Sequence, residues 1–160
     1  MTWEWTIARP MLLLHALVGC GALAISIHLL YFAWRGGIAR RAAHRALARR
    51  YAAITWPMYV AALVTGALVY PAYNVGVRGE WLDANRPEMT GLFEIKEHWG
   101  AVGLLLAWAV WRYFRRSTAD EIASPDLVFW RGQTLLVFLL ALCAAANVII
   151  GLWVTMVRSV

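Results

Sequence analysis

Apolar residues in this chain gather into four long blocks. They run from Met11 to Trp34, from Ala52 to Tyr73, from Trp99 to Tyr113 and from Leu135 to Val157. Crossing a bilayer takes about 20 residues of helix, and each block reaches or approaches that length; the third is the shortest, with a charged mouth that belongs at the interface. None alternates with a period of two, and so few spanning strands could not close a barrel. The pattern therefore predicts helices at about 11–34, 52–73, 98–116 and 127–157. The connections differ in kind. The first, "RGGIARRAAHRALARRYA", reads as a turn at Gly36 and Gly37 followed by a basic amphipathic segment. Residues 74–97 read as a long outer loop, punctuated by Gly76, Gly79, Pro87 and Gly91. The third carries a helix start at Ser124-Pro125-Asp126. Neighbours on short connections run antiparallel, so the expected fold is all-α: an integral membrane up-down-up-down four-helix bundle, one transmembrane domain over residues 1–160. The small residues Gly21 to Ala24 give the first block some likeness to a signal peptide. Its charged n-region is poor, and it is read as a retained helix.

Composition agrees: 62% of the 160 residues are hydrophobic and 15% charged, outside the range of soluble globular domains. Charge adds orientation. Arg35, Arg40, Arg41, Arg45, Arg49 and Arg50 fall between the first two helices, and Arg112, Arg115 and Arg116 between the last two, with Arg131 just beyond. Positive residues stay on the cytoplasmic side, which places both termini on the outer, periplasmic side of a bacterial inner membrane as a multi-pass protein. The net charge of +6 is explained by this bias, and no nucleic-acid partner is expected. Trp3, Trp5, Trp99 and Trp153 would mark the outer interface, and Trp34, Trp56, Trp111 and Trp130 the inner one. Cys20 and Cys143 form no CxxC or CxxCH pattern and read as buried thiols.

Histidines carry the candidate chemistry, because an ionisable group in a membrane helix is costly. His15 and His98 share a level near the outer face, and His28 lies 13 residues from His15, about 20 Å along a helix. A b-type haem takes neutral imidazoles as axial ligands, and two haems stacked across a bilayer need them at two depths. The reading assigns His15 and His98 to the iron of an outer haem and leaves open a second haem at His28, with His44 or Met58 as its partner. Arg78, Arg86 and Lys96 would face the propionates. Stripes of small residues accompany the histidines: Gly19, Ala22 and Ser26 after His15, Ala24 and Gly21 before His28, Gly100, Gly103 and Ala107 after His98. They admit either a flat macrocycle or a neighbouring helix. Glu94 and His98 could share a metal but supply only two ligands. Asn147 could orient His15, bind a quinone carbonyl or join helices, and Thr65, Tyr59 and Tyr70 are equally open.

The spacing of His15 and His28 resembles that of small membrane cytochromes b. The wider layout, with His15 in the first helix, Arg49-Arg50-Tyr51 before a second helix containing Pro57, and Lys96, His98 and Trp99 opening the third, also resembles the haem-binding protoporphyrinogen oxidases and the copper-resistance D-type proteins. In the oxidase pattern the histidine precedes the lysine, whereas here Lys96 comes first. The resemblance implies a haem-binding four-helix membrane protein. The expected function is a membrane-embedded b-type cytochrome, or a haem-bearing anchor subunit, passing electrons between quinol or an outer-side donor and a partner redox subunit. A haem-dependent porphyrinogen oxidase and a cofactor-free accessory subunit of a larger complex are the alternatives.

Overall fold

The computed structural model describes residues 3–39, 41–118, 120 and 127–158. The expected helix start at Ser124-Pro125-Asp126 and the side chains of Trp3 and Trp5 lie outside what is described. Every long element is a helix: α1 (Trp3–Ala33), α2 (Ala42–Ala72), α3 (Pro87–Arg116) and α4 (Leu127–Val157). Wider, π-type winding continues α1 over Trp34–Ile38 and α2 over Tyr73–Leu82, and one turn, Asp83–Asn85, leads to α3. No strand occurs among the described residues.

Each long helix packs on two others: α1 and α3 both lie against α2 and α4. Contacts run in opposite senses along each pair. His15 meets Ala62 while Gly36 meets Arg45, and Lys96 meets Gly151 while Phe114 meets Trp130. Successive helices are therefore antiparallel. Three stretches, Ile7–Ile38, Ala42–Asn85 and Val128–Val157, are long and apolar enough to cross a membrane, as in a multi-pass membrane protein. α3 is as long, but Glu88, Glu94, Lys96 and Glu97 crowd its first half and Arg112, Arg115 and Arg116 its end.

The packing is arranged for lipid. Small and hydroxyl-bearing residues turn inward: Ala22, Ser26, Ala33, Ala48, Ala52, Thr55 and Ala107 are buried. Large aliphatic ones turn outward, with Leu17 71% and Leu105 67% exposed. In water that arrangement would waste the apolar surface. In a bilayer, tails solvate leucine as well as a core does, and small residues let helices approach until dispersion contacts hold them. Buried hydroxyls bond within their own helix, Ser26 to the Ala22 carbonyl and Thr55 to the Tyr51 carbonyl, both at 2.8 Å. Large side chains enter the interior mainly at its ends. Leu29, Phe114, Trp130, Val137 and Leu140 fill the basic end, and Tyr73, Val77, Leu82, Met89 and Val154 the other.

The helix limits correct the sequence reading. α2 begins at Ala42, well before residue 52, and α3 at Pro87, before residue 98. Residues 74–97, expected as a loop, are helical almost throughout. Hydropathy marks the length of chain that suits a bilayer, and a helix can run past it into polar surroundings. Winding explains why the Pro and Gly signals misled. Buried Tyr73, Val77 and Leu82 are spaced by four and then five residues, which the i→i+5 bonding of a π-helix brings onto one face. Pro87 stands at the start of α3, where its missing N–H costs nothing.

Candidate functional site

One level of the bundle, in its acidic half, carries a polar side chain from every long helix. On α1, His15 Nδ1 donates to the Ala62 carbonyl of α2 at 3.0 Å, with Thr65 Oγ1 3.3 Å away. Thr65 donates in turn to the Ala61 carbonyl at 2.8 Å. On α3, the Lys96 ammonium lies 5.3 Å from the centre of the Phe93 ring. On α4, Asn147 Nδ2 donates to the Cys143 carbonyl at 2.9 Å, and Cys143 Sγ donates to the Trp99 carbonyl at 3.0 Å. Deeper in, Tyr59 donates to the Leu140 carbonyl at 3.3 Å.

Glycines make room for this layer. A Cβ placed on Gly66 would stand 3.0 Å from His15 Cε1, and one on Gly151 3.1 Å from Lys96 Cε. Asn147 Oδ1 faces Gly100 in the same way, in ordinary van der Waals contact. Gly66→Val is accordingly expected to push the imidazole off the Ala62 carbonyl and to cost about 1–3 kcal/mol. Denaturation of the purified protein in mixed micelles reads that loss.

Other sequence-selected residues lie elsewhere. His98 is on the exposed face of α3, its Nδ1 donating to the Glu94 carbonyl at 2.7 Å. His28 is exposed on α1, its Nδ1 donating to the Ala24 carbonyl at 2.7 Å and its ring stacked on Tyr51 at 5.6 Å. Among the described residues no hydrogen bond or ring contact joins His15, His28 and His98. His44 stands on α2 and reaches Phe32, the ring that also meets His28. Met58 lies against Gly21, higher in the bundle. Arg78 is engaged by Glu94 at 2.7 Å and Asp83 at 3.8 Å, and Arg86 by Glu88. Lys96 has no ion pair among the described residues. Glu94 meets His98 through its carbonyl, and no cluster of three or more His, Cys, Asp and Glu side chains occurs among the described residues. Of the small-residue stripes, Ala22, Ser26, Gly103 and Ala107 are buried in helix contacts, whereas Gly19 faces open space.

The inward turn of Lys96 has a signature in the sequence. It lies seven residues after Met89 and seven before Gly103, in the stripe that continues through Ala107, Val110 and Phe114, all buried. His98 is two residues, about 200°, out of that phase. Comparison with models of known protein families, with curated proteins and with solved structures returned no match.

Proposed function

We propose that this chain is a haem-bearing subunit of a bacterial inner membrane, with all four helices crossing and both termini outside. It would pass electrons between quinol or an outer-side donor and a partner redox subunit. One observation carries the reading: His15, His28 and His98 each hold Nδ1 against a backbone carbonyl, at 3.0, 2.7 and 2.7 Å. A carbonyl oxygen only accepts, so Nδ1 bears the hydrogen and the neutral ring keeps its lone pair on Nε2. Metal-bound histidines commonly use this anchoring, which fixes the ring and raises its basicity.

The donor set fits a b-type haem, which supplies one-electron chemistry at its iron. His15 offers Nε2 within the bundle, and His28 and His98 offer theirs on exposed faces, where a group held at a subunit boundary would sit. Lys96, which has no ion pair among the described residues, is suited to a propionate at the outer level. Arg78 and Arg86 already carry carboxylates and are weaker candidates for that role.

A reduced-minus-oxidised visible spectrum of the purified protein, with a pyridine haemochrome assay for stoichiometry, tests the proposal. A b-type band is expected, with loss of at least one haem in the His15→Ala, His28→Ala or His98→Ala variant. Protein made with ample haem that shows no band would overturn it and leave the cofactor-free accessory subunit. The inward Lys96 keeps the porphyrinogen oxidase as a second reading, distinguished by Lys96-dependent turnover of a porphyrinogen.

A further inference from the structure

Away from the histidine layer, toward the basic end, an open groove of about 590 Å³ runs between α1 and α4. Its α1 wall extends from Ile27 to Ile38, about 16 Å of helix, which is close to half of a 30 Å hydrocarbon core. The groove is apolar along its length, with Leu30, Leu135 and Phe138 among its lining. Its character changes at one end, where Trp34 and Arg131 stand. There Arg35 lies over Tyr31 and Trp34, at 6.0 and 5.7 Å from their rings, and its buried Nε has no hydrogen-bond partner among the described residues. The ion pairs among the described residues involve Arg78 and Arg86 at the far end, and neither Arg35 nor Arg131 takes part in one. A smaller groove between α2 and α3, about 300 Å³, repeats the combination with Arg49, Arg115 and Trp111, Arg115 lying 4.9 Å from the Trp111 ring.

We infer that the α1–α4 groove binds an anionic phospholipid of the leaflet on the basic side, one acyl chain along Ile27 to Phe138 and the phosphate between Arg35 and Arg131. An acyl chain matches the groove in length and polarity, and a phosphate supplies a counter-charge that neither guanidinium has among the described residues. A neutral quinone would fill the apolar part and leave two cations unmatched. A second copy of the chain, docked through the same face, would bring arginine against arginine. The site does not depend on haem.

The test is native mass spectrometry of the full chain in detergent, titrated with phosphatidylglycerol and with phosphatidylcholine of identical acyl chains. Each arginine near an anionic headgroup is worth about fivefold in affinity, so phosphatidylglycerol is expected to bind about 30-fold more tightly. The double substitution Arg35→Gln with Arg131→Gln should reduce the preference to within about twofold. Thr134→Trp, which fills the groove and keeps both charges, should weaken both lipids, and Arg50→Gln, an exposed residue outside the groove, should change neither. Circular dichroism confirms that each variant stays folded. Equal retention of the two lipids by the unaltered protein, or a preference that survives the double substitution, would overturn the inference.

Discussion

Replacing Gly37 with alanine is expected to cost the bundle about 2–3 kcal/mol, the scale of overpacking a filled interior. A Cβ there would stand 2.2 Å from Trp130 Cβ and 2.5 Å from Cγ, atoms too near the α4 backbone to swing aside. At the preceding position, a Cβ on Gly36 would come within 2.8 Å of the Arg45 backbone nitrogen. The turn out of α1 thus presses on α4 and α2 at once, and the requirement is for space. Trp130 is fully buried and meets Phe114 and Phe129 edge-on, at 6.0 and 5.4 Å. Trp130→Ala is expected to cost about 3–5 kcal/mol through the cavity it leaves. It should not rescue Gly37→Ala, because alanine retains the Cβ responsible for the collision. Unfolding by sodium dodecyl sulphate in mixed micelles, followed by circular dichroism, measures all three variants. A Gly37→Ala protein as stable as the parent would mean that α1 and α4 can part at this end without loss.

Much of the fold was legible because lipid imposes simple rules. Three helices announce themselves by apolar length alone, and the small residues Ala22, Ser26, Gly103 and Ala107 mark surfaces that pack. Helix limits were less legible, because nothing in hydropathy ends a helix where the bilayer ends. Gly76 and Gly79 looked like breaks, yet the chain passes through them by widening its winding. In the candidate site, the Nδ1 bonds of His28 and His98 reach one turn back along their own helices and follow from local geometry. The bond from His15 to Ala62 spans 47 residues and depends on the space at Gly66. No one-helix pattern contains it. Lys96 was readable from its phase with Met89 and Gly103, but a cluster of charge at a helix mouth draws attention to composition before phase.

Lys96→Met is expected to raise stability at neutral pH by about 1–2 kcal/mol. Methionine keeps the length of the side chain, suits the Phe93 ring and the space at Gly151, and removes a charge that burial disfavours. Unfolding of the two proteins by sodium dodecyl sulphate in mixed micelles reads the difference. A half-buried ammonium with no ion pair among the described residues is suited to meet something anionic. If the methionine variant gains stability and loses haem, Lys96 serves as the counter-charge at the level of His15. If it gains stability and keeps haem in full, the propionates find their cations elsewhere, and the case for Lys96 rests on turnover of a porphyrinogen alone.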